Sequence, residues 1–330
     1  MPPSFIYLYK YVIMPMVINM NQFKYSNDNK RYHTFNYYLK NKYHCKVAKV
    51  GLNAGFTCPN RDGTKGIGGC IFCSASGSGD FAGNVKDSLE MQFEQVSQIL
   101  NHKWPSCKYI AYFQANTNTY GPVAKIKNCI EPFVNKKDVV AISIATRPDC
   151  LADDVLDYLD KLNQRVDLWV ELGLQTIHDQ TGKLINRGHT YQEFLDGLSK
   201  LRKLKINVCV HIINGLPGET KEMMLETAKT VGNLDIQALK IHMLYIIEGT
   251  KLHQLYQQEA FSMLAREEYI ELVCDQLTYI PEQIVIERLT GDGKVDDLVA
   301  PLWSIKKVTI LNDIDKMMVK KDYYQGCNLK

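Results

Sequence analysis

The sequence predicts an α/β fold, a partial (β/α)6 barrel of the TIM type with a C-terminal extension. Two observations carry this. Short runs rich in β-branched and apolar residues recur at 46–52, 109–113, 139–144, 168–172, 206–213 and 238–244, and longer segments with helical apolar spacing lie between them. Strands that alternate with helices pair in parallel, because a right-handed crossover returns each one in the same direction. Roughly six such units fit within residues 45–250, and the eight that would close a barrel are not evident. The reacting groups of such a fold belong to loops at the C-terminal ends of its strands.

Residues 1–44 form an N-terminal extension. The stretch 1–14 is apolar yet too short and interrupted to span a bilayer. It also lacks the basic leader and cleavage site of a signal peptide. Met16 and Met20 leave a later translation start open. Residues 21–44 set Lys24, Lys30, Arg31, Lys40 and Lys42 against the single acid Asp28; Lys46 and Lys49 extend this basic segment to residue 49, interleaved with Phe23, Tyr25, Tyr32, Phe35, Tyr37, Tyr38 and Tyr43. That mixture suits phosphates and unstacked bases, which makes Lys30 and Arg31 candidate RNA contacts. Within the barrel, helices are marked by Leu89, Phe93, Val96 and Leu100, then by Leu151, Val155, Leu156 and Leu159. Phe194, Leu198 and Leu201 mark another, and Met223, Met224, Thr227 and Val231 a fourth. Residues 251–330 read as an extension packed on the barrel. It holds a helix at 261–277, a strand at 284–288 and the turn Thr290-Gly291-Asp292-Gly293, while 303–321 reads as one helix or as a strand followed by a helix.

A hydrophobic fraction of 45% in 330 residues supplies a sizeable core. The net charge of +3 is too small to identify a partner. Of ten cysteines, Cys45, Cys107, Cys129, Cys150, Cys209, Cys274 and Cys327 are scattered, mostly in apolar runs, and read as buried small hydrophobes. A reducing, cytoplasmic location and no membrane association are the expectation.

The other three cysteines lie together in Cys58-Pro59-Asn60-Arg61-Asp62-Gly63-Thr64-Lys65-Gly66-Ile67-Gly68-Gly69-Cys70-Ile71-Phe72-Cys73. The CxxC spacing lets Cys70 and Cys73 reach one metal centre, and the glycine-rich excursion can fold Cys58 back onto it. A structural zinc site normally needs a fourth ligand, which His44 or a distant cysteine would have to supply. A redox pair leaves the third cysteine unexplained, and incidental thiols remain the bland alternative. A [4Fe–4S] cluster on three thiolates leaves one iron open to S-adenosylmethionine, whose reductive cleavage gives a hydrogen-abstracting 5′-deoxyadenosyl radical.

Around this loop stand further motifs: Asp28-Asn29-Lys30-Arg31-Tyr32-His33, Val50-Gly51-Leu52-Asn53-Ala54-Gly55-Phe56-Thr57, Phe113-Gln114-Ala115-Asn116-Thr117-Asn118-Thr119-Tyr120 and Thr146-Arg147-Pro148-Asp149-Cys150. Glu171-Leu172-Gly173-Leu174-Gln175-Thr176, Asn186-Arg187-Gly188-His189-Thr190 and Gly215-Leu216-Pro217-Gly218-Glu219-Thr220 follow. In these motifs and in its wide Cys-x11-Cys-x2-Cys spacing the chain resembles the radical-SAM superfamily, in its YhcC/YtqA-like branch, over most of 21–330. The resemblance implies a partial barrel, a [4Fe–4S] cluster with S-adenosylmethionine, and an external one-electron donor such as flavodoxin or ferredoxin. A broader resemblance to the radical domain of the Elongator catalytic subunit implies a tRNA partner and a wobble-uridine reaction, carboxymethylaminomethyl-uridine toward aminomethyl-uridine. It implies no acetyl-CoA chemistry, since that subunit's acetyltransferase domain has no counterpart in this length. The competing functions are the same chemistry on a small metabolite or peptide, and a non-catalytic iron–sulfur protein that binds RNA or regulates.

Two departures from related enzymes redistribute the cofactor contacts. Ala145 stands where an acid often binds the ribose, and Gln114-Ala115-Asn116-Thr117 replaces a Gly-Gly-Glu element. Gln114 and Asn116 are therefore candidates for the methionyl group, and Glu171 and Gln175 for the ribose or the methionyl ammonium. Arg187 and Arg147 can grip a carboxylate or phosphate, or simply support loops. His211 and Asn214, beside the Gly215–Gly218 loop, are candidates near the nucleoside, and His242 and Tyr245 face substrate.

Overall fold

In this computed structural model residues 23–25, 30–77, 79, 81–291 and 293–329 are described. The apolar opening, Met16, Met20, Asp28, Asn29 and Asp292 lie outside them. The chain runs α1 (Phe35–Tyr43), β1 (Val47–Leu52), α2 (Leu89–Lys103), β2 (Lys108–Phe113), α3 (Val123–Val134), β3 (Val139–Thr146), α4 (Asp153–Asn163) and β4 (Asp167–Gln175). It continues with α5 (Asp179–Leu184), α6 (Tyr191–Lys203), β5 (Asn207–Asn214), α7 (Lys221–Gly232), β6 (Ala238–Met243) and β7 (Ile246–Ile247). Last come α8 (Lys251–Gln257), α9 (Arg266–Leu277), β8 (Val285–Arg288), β9 (Leu298–Ala300) and α10 (Lys307–Lys320). Hydroxyl caps start several helices: Ser88, Thr190 and Thr220 each accept an amide from the first turn.

The parallel half-barrel is present with one strand more than the six expected. The sheet has the order β1-β2-β3-β4-β5-β6-β8, so the strand read at 284–288 joins the barrel sheet as its seventh member. The run 303–321 is not a strand and a helix. It is a short 3-10 turn at Leu302–Ile305 followed by α10.

Period-two alternation builds the interior in layers. Val47, Ile110, Ala141, Trp169, Cys209, Ala238 and Val285, one from each strand, form an apolar floor that Leu39 of α1 plugs. Two residues further along each strand the layer turns polar: Lys49, Tyr112, Ser143, Glu171, His211, Lys240 and Glu287. Lys49 on edge strand β1 meets Glu287 on edge strand β8 at 2.6 Å, an ion pair across the gap the sheet leaves open. The residues before α1 cover the β8 edge, where the Ile286 amide donates to the His33 carbonyl at 2.8 Å. The outward faces pack against the helices in one apolar core. No helix among the described residues is long and apolar enough to cross a membrane.

Candidate active site

β1 leads straight into the cysteine loop at the C-terminal end of the barrel. The Arg61 amide donates to the Cys58 carbonyl at 2.8 Å, and the Gly69 amide to the Asn60 carbonyl at 2.8 Å, so the excursion returns Cys70 to the turn that holds Cys58. Gly69 sits at φ 80°, and a Cβ there would stand 2.9 Å from the Arg61 side chain, which is why glycine is needed. The Cys73 amide closes on the Cys70 carbonyl at 3.0 Å. Asn186 fastens the loop from outside through its amide to the Gly69 carbonyl at 2.8 Å. Asn60 points its amide at the Cys70 sulfur at 3.8 Å.

Cys58, Cys70 and Cys73 line a single cavity at the barrel mouth. Of the residues expected from sequence, Gln114, Asn116, Arg147, Glu171, Gln175, His211, His242 and Tyr245 line it as well. Asn116 and Gln175 stand at φ 58° and 66°. Asparagine tolerates that left-handed backbone, whereas glutamine stores about 1–3 kcal/mol of strain there. The Gln175 strain coincides with a register shift between Gly173 and Gln175 that re-aims the end of β4 into the cavity.

Glu171 is the hub of the polar layer. Its fully buried carboxylate takes Lys49 at 2.5 Å, His211 Nε2 at 2.8 Å, the Ser143 hydroxyl at 2.7 Å and Lys240. Burial alone would raise its pKa, but the Lys240 and Lys49 ammoniums overcome this, with His211, and hold it well below the ordinary range. The structure thus gives Glu171 and His211 internal partners at the cavity floor. Burial and then Lys240 push His211 down, against the pull of Glu171.

Four expected residues are not brought to this cavity. Arg187 is completely buried and donates to the carbonyls of His189 and Leu174 at 2.8 Å each and to Asp179 at 2.9 Å, so its fork ties loops together. The Asn214 amide pairs with Gln276 of α9 at 2.8 Å. Lys30 pairs with Asp315 on α10, and Arg31 with Asp322 at 2.8 Å, which packs the N-terminal segment on the C-terminal one instead of presenting it to the barrel mouth. Arg147 does reach the cavity, but its guanidinium also holds Asp149 at 2.9 Å and the Arg187 and Gly188 carbonyls at 2.6 and 3.0 Å. Asn214→Ala is expected to cost about 1–3 kcal/mol by leaving Gln276 unmatched. Denaturant titration checks this, and a fully stable variant that loses S-adenosylmethionine binding would return Asn214 to the cofactor.

Sequence reasoning passed over Lys240 and Arg288, which line the cavity, and read Lys49 as part of the basic RNA-docking segment, whereas it points into the barrel and pairs with Glu171 at the cavity floor. Lysine at 240 inside the run Leu239–Met243 was a legible signal, since a cation in an apolar strand needs an inward partner. His189 also lines the cavity, with both ring nitrogens buried and unpartnered, and burial followed by Arg187 and Arg147 lowers it to about 3.

The donor set fits an iron–sulfur cluster. All three thiols are free of disulfides and line one cavity, as do His189 and His242, which carry buried ring nitrogens without partners. Among the described residues no three His, Cys, Asp or Glu converge on one ion-sized point. Three thiols on one cavity match the three protein ligands of a cubane, which spreads its thiolates over separate irons, and fall one short of the four that a structural zinc takes. A hydrogen bond from Cys73 lowers the Cys70 thiol against burial, with Arg147 and Asn60 assisting. Of the other seven cysteines, Cys107, Cys150, Cys209 and Cys274 are buried as expected, whereas Cys45, Cys129 and Cys327 are partly exposed. Burial pushes Cys150 and Cys274 up to about 12, which leaves them inert.

Comparison with known proteins agrees. Residues 56–231 match the Radical SAM superfamily, and residues 236–320 its Radical_SAM C-terminal domain. YtqA of Bacillus subtilis (strain 168) is 52% identical over 306 residues, 93% of this chain and 95% of that protein. YhcC of Escherichia coli (strain K12) is 33% identical over 281 residues, 85% and 90% of the two. A tRNA uridine(34) acetyltransferase of Methanocaldococcus infernus is 29% identical over 195 residues, 58% of this chain and 35% of that one. The solved structure of archaeal Methanocaldococcus infernus Elp3 with an N-terminal deletion superposes with a TM-score of 0.63 at 20% identity, covering 85% of this chain and 64% of that chain, a likeness of fold. The chain belongs to the radical SAM superfamily, whose enzymes use a [4Fe–4S] cluster and S-adenosylmethionine.

Proposed function

We propose that this radical SAM enzyme modifies the side chain of a tRNA wobble uridine, taking carboxymethylaminomethyl-uridine toward aminomethyl-uridine in the cytoplasm. The observation that carries the reading is the similarity, over 58% of the chain, to a protein named as acting on uridine 34 of tRNA. A cluster with bound S-adenosylmethionine supplies hydrogen-abstraction chemistry at an unactivated carbon. The rest belongs to the chain's own residues. Cys58, Cys70 and Cys73 would hold the cluster, with Asn186 and Arg61 fixing their loop. Gln114, Asn116 and Gln175 offer amides for the cofactor's polar groups, and the Glu171 network keeps the floor beneath it rigid. His242 and Tyr245 stand on the wall where a base would enter. A one-electron donor such as flavodoxin or ferredoxin completes the system.

The test is anaerobic incubation of the iron-loaded protein with S-adenosylmethionine, reductant and tRNA bearing carboxymethylaminomethyl-uridine. The expected result is 5′-deoxyadenosine together with a nucleoside lighter by the carboxymethyl group. Cofactor cleavage that leaves the tRNA nucleosides unchanged would move the reaction to a metabolite or peptide, and stable RNA binding without any cleavage would make the protein a binding module.

A further inference from the structure

β8 contains a bulge. Leu239 of β6 pairs with Ile286 and the next residue, Lys240, with Arg288, so Glu287 is an extra residue on the β8 side. A bulge sets two residues against one and re-aims a side chain. Here it lets two consecutive side chains reach the barrel interior. Glu287 turns down to Lys49 at 2.6 Å and Lys240 at 3.5 Å, and Arg288 lines the cavity beside Lys240, His242 and Tyr245.

Among the described residues the charges in this corner do not balance. Lys49, Lys240 and Arg288 are three cations, and Glu171 and Glu287 are two carboxylates. Both acids are occupied by the two lysines. Arg288, half-buried, makes no hydrogen bond or ion pair with any described residue. Next to it the Nε2 atom of His242 is buried without a partner. Burial, then His211, Arg288 and Lys240, keep that ring neutral. A guanidinium with no partner among the described residues, beside an unmatched ring nitrogen on the same wall, suits an anion. A guanidinium fork matches the two oxygens of a carboxylate.

We propose that Arg288 and His242 form a subsite for a carboxylate of the substrate, which makes the acidic carboxymethyl end, and not the uracil ring alone, what the cavity recognises. This rests on reading the substrate as a modified wobble uridine. The same chemistry could come from the methionyl carboxylate of S-adenosylmethionine, so the test separates the two.

Arg288→Gln and Arg288→Lys are compared with wild type as cluster-loaded protein. Equilibrium titration uses two nucleosides, carboxymethylaminomethyl-uridine and aminomethyl-uridine, in the presence of S-adenosylmethionine, and the affinity for S-adenosylmethionine is measured separately. Because Arg288 has no partner among the described residues, its removal strands no buried group among them, and thermal melting should match wild type. Wild type is expected to prefer the carboxylate nucleoside by about 10- to 100-fold, the worth of a hydrogen-bonded charge. R288Q should lose that preference, and R288K should keep part of it. Failure of the wild type to discriminate, or discrimination that survives R288Q, overturns the subsite. A parallel tenfold loss of S-adenosylmethionine affinity in R288Q would assign the carboxylate to the cofactor and overturn it too. Discrimination that depends on Arg288 while tRNA is not turned over would leave the subsite standing and remove only the tRNA reaction.

Discussion

Each of the variants C58A, C70A and C73A is expected to come out of anaerobic reconstitution with little or no iron and sulfide, and to cleave S-adenosylmethionine at least ~100-fold more slowly. Loss of an outer-shell partner alone typically costs roughly 10- to 100-fold in metal affinity, and removal of a ligand should exceed that. All three thiols line one cavity, and their loop is held by backbone bonds that do not use the sulfurs, so the fold should survive. Cys129, on α3 and absent from the cavity wall, is the control, and C129A should retain iron as wild type does. Iron and sulfide assays with quantified 5′-deoxyadenosine check the result. Full iron loading in any one of the three variants would remove that cysteine from the ligand set.

The second large effect is on stability. Glu171→Gln keeps the side-chain volume but leaves Lys49 and Lys240 to share Glu287 in a largely buried site. Removing one member of a buried ion cluster costs about 3–5 kcal/mol, because the remaining charges lose their compensation. Its pH dependence has a definite sign. The folded-state pKa of Glu171 lies well below its ordinary 4.5, so its contribution is complete above that value and is lost as pH falls through the depressed folded value. The gap between wild type and variant should therefore be full at neutral pH and shrink in acid below about pH 4.5. Urea titrations at several pH values measure it. A variant as stable as wild type that no longer binds S-adenosylmethionine would show that the carboxylate serves the nucleoside instead.

The sequence made the barrel legible because its strands and helices differ in period and length, and because a parallel sheet forces crossovers. The cysteine loop was legible from spacing as a candidate metal site, and the family resemblance pointed to the cluster. The seventh strand was seen at 284–288 but not placed in the sheet, since local pattern does not tell which sheet a strand joins. Arg187 looked like a ligand and proved to be a buried tie between loops, a role set by carbonyls of Leu174 and His189 that no side-chain pattern announces. Glu171 was read as a cofactor contact at the end of the fourth strand, whereas its partners come from β1, β3, β5 and β6 and emerge only when the strands are in register. Arg288 escaped notice for a related reason. Alternation after Glu287 would point it outward, and only the bulge turns it in.

Low-temperature electron paramagnetic resonance of the reduced, anaerobically loaded protein, recorded before and after S-adenosylmethionine is added, tests directly whether three cysteines would leave one iron open to the cofactor. A [4Fe–4S]+ signal whose g-values move on addition is the expected outcome, because the cofactor's amino and carboxylate groups would join an iron that no cysteine holds. A spectrum without any such cluster, or one that the cofactor leaves unchanged, would contradict it.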